Sequence, residues 1–151
     1  MLGEKFIGKL TGVKAGIETT EQIDGSKEKK PVYEVKLESS DIDYAELNKF
    51  APSISMVMLA IQPMPFKSAN FGELTGKYRL KLWARGEEDN LPGLDCDGEY
   101  AYVEITNFSV AVKENIPTYC FTLSMDMAKN PNGAFLFKAV KTIVEFEFSE
   151  Q

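Results

Sequence analysis

The sequence contains no histidine, and that absence excludes more chemistry than any motif in the chain suggests. Without an imidazole there is no serine or cysteine triad with a histidine base and no ordinary proton shuttle near neutral pH. Cysteine is almost as scarce: Cys96 and Cys120 are the only two. Two cysteines without histidine do not make a tetrahedral zinc site, so both are read as reduced thiols, with Cys120 inside a strand. No apolar run approaches the roughly 20 residues of a membrane helix. The N-terminal MLGEKFIGKL lacks the regions of a secretion signal. These absences predict a cytoplasmic, non-membrane, non-catalytic protein. Carboxylate or lysine catalysis stays chemically open, but nothing marks a catalytic residue.

What is present describes a globular chain. Hydrophobic residues make up 44% of the 151 and charged residues 26%, enough to bury a core in a single domain spanning 1–151. The net charge of −6 is unevenly spread. Residues 1–86 hold 13 Lys/Arg against 11 Asp/Glu, and residues 87–151 hold 4 against 12. An acidic whole argues against nucleic-acid binding through overall charge, while leaving room for a local basic stripe.

Along the chain, FIGKLTGVKAGI (Phe6 to Ile17) reads as a strand with glycines at 8, 12 and 16, suited to a coiled barrel corner. The polar Glu18 to Pro31 reads as a loop. VYEVKLE follows as a strand with Tyr33, Val35 and Leu37 inward. A short helix, capped by Ser40 and ended by Pro52, is expected next, then a buried strand over Ile54 to Gln62. Pro63 to Gly76 reads as a loop. Tyr100 to Lys113 and Thr118 to Asp126 are further strands, the second with Tyr119, Phe121, Leu123 and Met125 on one face. Asn130-Pro131-Asn132-Gly133 marks a turn. The final AFLFKAVKTIVEFEF switches phase in its middle, and its aromatic and β-branched content favours strand over helix in its first half. The whole predicts an all-β fold with one short helix. A small barrel of the oligonucleotide/oligosaccharide-binding kind is expected, with a two-sheet sandwich as the alternative.

One stretch concentrates the rare residues. In GKYRLKLWARG, Lys77, Arg79, Lys81, Trp83 and Arg85 share one strand face, including both arginines and the only tryptophan of the chain. Cations that track phosphates and aromatic faces that stack bases are what single-stranded nucleic acid requires. Lys67, Phe71 and the Lys27–Lys30 segment are placed to lengthen the track. The competing reading is a ladder of opposite charges, in which Glu145 and Glu147 of VEFEF, or Glu34 and Glu38, lie alongside and neutralise the stripe. Elsewhere, Asp95, Asp97 and Glu99 alternate before a turn as hard-cation ligands do, but most of that ligand pattern is missing. A solvated turn is the expectation, with no metal and no cofactor.

In outline, with Lys77 to Arg85 and, more loosely, Tyr100 to Val112 carrying the likeness, the chain resembles the single-stranded-DNA-binding proteins of phages and mobile elements. That resemblance implies a non-enzymatic protein that binds single-stranded nucleic acid. The alternative is a structural or assembly domain of the phage tail or head-joining type, pairing edge strands between copies as a homo-oligomer.

Overall fold

The structure, a computed structural model, describes residues 6–40, 68–84, 101–113, 116–130, 133, 135–138 and 140–150. Six strands and one helical turn account for most of them: β1 (Phe6–Glu21), β2 (Lys27–Ser39), β3 (Ser68–Ala84), β4 (Ala101–Lys113), β5 (Ile116–Asp126), α1 (Phe135–Lys138) and β6 (Ile143–Glu150). The strands close into a barrel in the order β1-β2-β5-β4-β3-β6, every pair antiparallel. β3, β4 and β5 run as a meander and β6 returns beside β3, a Greek-key arrangement. The expected small barrel is therefore what forms, with six strands where the oligonucleotide-binding type commonly has five. Closure excludes the two-sheet sandwich. Among the described residues no helix is long and apolar enough to cross a membrane.

The alternation legible in the sequence is the alternation of burial. Tyr33, Val35 and Leu37 of β2, Tyr119, Phe121, Leu123 and Met125 of β5, and Val144, Phe146 and Phe148 of β6 all point into the core. Tyr78, Leu80 and Leu82 of β3 do the same. The centre is aromatic: Phe121 lies 5.1 Å from Phe108 and 5.3 Å from Phe148, ring centroid to centroid. Phe146 and Phe148 meet edge to face at 5.6 Å, the geometry favoured by ring quadrupoles.

Two glycines are dictated by space. A Cβ on Gly8 would stand 2.5 Å from the Glu38 carbonyl oxygen and 2.7 Å from the Phe146 ring. One on Gly133 would run into the Tyr33 ring. Gly133 also closes the turn expected from the Asn-Pro-Asn-Gly sequence, its N–H donating to the Asn130 carbonyl at 3.0 Å.

Several expectations are corrected. Glu18 to Pro31 is not a loop. β1 and β2 continue as a ribbon, with Glu18 opposite Lys30 and Glu21 opposite Lys27, closed by a tight turn at Gln22 to Ser26. Both faces of that ribbon are largely solvated, so it lacks the apolar period that identifies a strand. A register shift between Leu10 and Gly12 also turns the strand over: Phe6, Gly8 and Leu10 face inward before it, Val13 after it. Ser68 to Gly76, read as loop, belongs to β3 and is irregular, with register shifts at Asn70/Gly72 and beyond. The first half of the final element is the helical turn α1, not strand. Leu136 is buried there and Phe137 meets Tyr33 edge-on at 6.1 Å. The expected helix to Pro52 and the strand over Ile54 to Gln62 lie outside the described residues.

Candidate nucleic-acid interface

β3 carries the basic stripe, and the barrel decides what stands beside it. With Tyr78, Leu80 and Leu82 buried, Arg79 and Lys81 occupy the outer face, both half-buried. On one side lies β6, whose register sets Lys81 opposite Glu147, Trp83 opposite Glu145 and Arg79 opposite Ser149. The acidic neighbour considered from the sequence is thus present along this edge of the stripe. Directly opposite residues on an antiparallel pair hold their Cβ atoms roughly 4.5–5.5 Å apart.

On its other side β3 pairs with β4, where Arg79 stands opposite Tyr102. Tyr102 is 40% exposed while its chain neighbours Ala101 and Val103 are buried. The fold therefore puts an accessible ring beside the arginine, on the face turned away from the core. Sequence reasoning passed over Tyr102 as a candidate. The signal was available in the alternation of AYVEIT, where Tyr102, Glu104 and Thr106 share the outward face.

Beyond Tyr102 the surface dips into a polar cleft lined by Glu104 of β4, Ser124 and Asp126 of β5, Lys129, and Glu18 and Lys30 of the ribbon. Lys30 bridges the two acids, with Nζ 3.6 Å from Glu18 and 3.9 Å from Asp126. Lys129 is exposed at the rim. Tyr102 thus has a cation on each flank, Arg79 on one and Lys129 with Lys30 on the other, interleaved with carboxylates.

The remaining sequence candidates fall in different places. Lys77 and Trp83 lie in β3, Trp83 at the register position opposite Glu145. Lys67 and Arg85 lie outside the described residues, as do Asp95, Asp97 and Glu99. Phe71 is in β3, partly buried, with its ring 5.7 Å from Phe108 and packed on the core. Lys27 to Lys30 belong to the ribbon rather than to a loop. Cys120 is in β5, half-buried, with its Sγ 3.9 Å from the Thr118 carbonyl oxygen. Among the described residues no group of three or more His, Cys, Asp or Glu is arranged to hold a metal ion.

Compared with known proteins, the chain matches no family model, no curated protein and no solved structure.

Proposed function

We propose that this protein is a non-catalytic, single-stranded nucleic-acid-binding barrel whose contact surface is centred on Tyr102. The observation that carries the reading is the register of β3 on β4, which sets Arg79 beside an exposed aromatic ring. A base stacks on the ring while the guanidinium takes the adjoining phosphate, the combination that single-strand binders use. Lys81 extends the surface along β3, the strand to which Lys77 and Trp83 also belong, and Lys129 extends it across β4 and β5. Glu145 and Glu147 bound it on the β6 side, so the footprint is short and the number of phosphates neutralised small.

The test is a titration with poly-dT at low salt, followed by Trp83 fluorescence and by mobility. The reading expects a fluorescence change that weakens as salt rises. Unchanged fluorescence together with unchanged mobility at low salt would refute it.

An assembly role is the second reading, favoured by a different observation: β1 presents a strand edge that no described strand covers. Rings, tubes or other multimers seen by microscopy at rising concentration support it, and a strictly monomeric protein counts against it.

A further inference from the structure

β1 is sixteen residues long, yet its partners differ in length. β2 pairs with it as far as Glu21, whereas β6 pairs only with Phe6 to Lys9. The backbone of Leu10 is still satisfied on that side, its N–H donating to the Thr142 carbonyl and its carbonyl accepting from Lys141 N–H. From residue 11 to residue 21, no described strand pairs with the edge of β1 that faces away from β2.

Which residues turn their peptide groups outward follows from the hydrogen bonds at the ribbon's two ends. Gln22 N–H donates to the Ser26 carbonyl, so the next pair, Glu21 with Lys27, is a wide one whose polar groups point away from each other. Counting back along the ladder, the outward groups belong to Glu21, Thr19, Ile17, Ala15 and Val13. An independent bond agrees: the Pro31 carbonyl, opposite Ile17, accepts from Met127 N–H rather than from β1.

An antiparallel copy of the same edge must pair odd residues with odd residues. Several registers satisfy that condition, and side-chain charge separates them. A two-fold axis through Lys14 sets lysine against lysine, and one through Glu18 sets glutamate against glutamate. Centred on Gly16, the register sets Lys14 opposite Glu18 of the second copy, and Glu18 opposite its Lys14. Within one chain, Lys14 Nζ already lies 3.6 Å from Glu34, and Glu18 lies 3.6 Å from Lys30 Nζ. The joined sheet would therefore carry rows reading Glu34, Lys14, Glu18, Lys30 across two molecules, with the sign alternating at every strand. On the opposite face Ile17, 70% exposed in the single chain, would sit across from Ala15 of the other copy. The pair of glycines at the centre offers no side chain to hold the strands apart.

The geometry points to a symmetric homodimer in which residues 12–20 of β1 pair antiparallel with the same residues of a second copy, about a two-fold axis at Gly16. The interface is isologous and closed. It is a β-edge addition in which backbone bonds supply affinity and the Lys14–Glu18 pairs set the register. This inference is independent of the nucleic-acid reading: the Tyr102 surface can fail while the dimer stands, and the reverse.

Sedimentation equilibrium over a concentration series tests it. The wild type is expected to pass from monomer to dimer. Ile17→Pro removes one outward N–H without touching the β2 ladder and is expected to weaken association at least about tenfold, with the melting temperature of the monomer as a folding control. Lys14→Glu and Glu18→Lys each place like charges across the axis and are expected to be monomeric alone. Mixed in equal amounts they are expected to form a heterodimer, because a glutamate of one variant then faces a lysine of the other at both ends. A wild type that stays monomeric at millimolar concentration overturns the inference, as does an association unaffected by Ile17→Pro. Failure of the two charge variants to associate with each other, where the wild type dimerises, overturns the register.

Discussion

Lys81 of β3 stands directly opposite Glu147 of β6, and two residues further along Trp83 stands opposite Glu145. The strand that carries Arg79 and Lys81 thus borders a strand that alternates glutamate with buried aromatics. Both functions of such a face follow from this placement. The register places Glu147 to offset the charge of Lys81 across the β3–β6 seam, and the same glutamates repel a phosphate approaching from that side.

On the proposed function, removing the acids should therefore strengthen nucleic-acid binding. The double variant Glu145→Gln, Glu147→Gln is expected to bind poly-dT more tightly at low salt. Its plot of log affinity against log salt should steepen by about 0.7 for each additional phosphate neutralised. Both side chains are half-buried on the outer face, so the urea midpoint should move little. Fluorescence titration at several salt concentrations measures the slope.

Tyr102 should matter to binding and little to folding. Its ring is 40% exposed, and stacking of a base on an aromatic is worth ~1–3 kcal/mol. Tyr102→Ala is thus expected to lose roughly 5- to 150-fold in affinity, whereas Tyr102→Phe keeps the ring and most of the affinity. Equal losses in the two variants would implicate the hydroxyl instead of the ring.

Much of the barrel was legible in the sequence because antiparallel strands with one wet face alternate. The inward phases of Tyr33–Leu37, Tyr119–Met125 and Val144–Phe148 needed no knowledge of their neighbours. The ribbon was not legible, since Glu18 to Glu21 and Lys27 to Pro31 have water on both faces and show no apolar period. The α1 turn was missed because Phe135 to Lys138 is aromatic enough to pass for strand. The candidate site was half legible. That Arg79 and Lys81 face outward follows from local pattern. That Tyr102 lies on one side and Glu147 on the other depends on which strands close the barrel, which no local pattern encodes. The outward edge of Lys14 to Glu18 depends in addition on the register shift between Leu10 and Gly12.

Two of the three β1 glycines, Gly8 and Gly16, should respond differently to a methyl group. At Gly8 the new carbon would meet a backbone oxygen and the Phe146 ring, neither of which can move aside cheaply. At Gly16 the nearest atom is Val32 Cγ2 at 3.8 Å, an ordinary contact. Gly8→Ala is expected to cost about 1–3 kcal/mol through overpacking, and Gly16→Ala close to nothing. Paired urea denaturation curves compare them directly, and equal costs would show that backbone freedom, not space, fixes Gly8.

Phe146 is the core residue whose truncation should cost most. It is fully buried and contacts Phe6, Phe121 and Phe148. It also faces Leu82 across β3–β6 and Phe6 across β1–β6, so it sits where β6 closes the barrel. Phe146→Ala is expected to destabilise by about 3–5 kcal/mol, whereas Phe146→Leu, with less volume lost, should retain a cooperative transition at lower denaturant.

The ribbon's turn provides a test in pH. Asp24 Oδ1 accepts hydrogen bonds from the Ser26 hydroxyl at 2.5 Å and from Ser26 N–H at 2.9 Å. Led by the hydroxyl, these hold the Asp24 carboxyl below its ordinary value. Bonds that favour the ionised form in the folded turn must favour the folded turn when Asp24 is ionised. Their contribution is accordingly complete above the ordinary aspartate range and disappears as pH falls through the depressed folded value. The Ser26 amide resonance should shift in step with the Asp24 carboxyl on acidification, with a midpoint below that of a free aspartate. Ser26→Ala, which removes the leading bond and keeps the amide, should move that midpoint upward. Gly25, held at φ 84° between the two residues, should keep the turn shape in both proteins. A midpoint unchanged by Ser26→Ala would show that the backbone amide alone depresses the carboxyl.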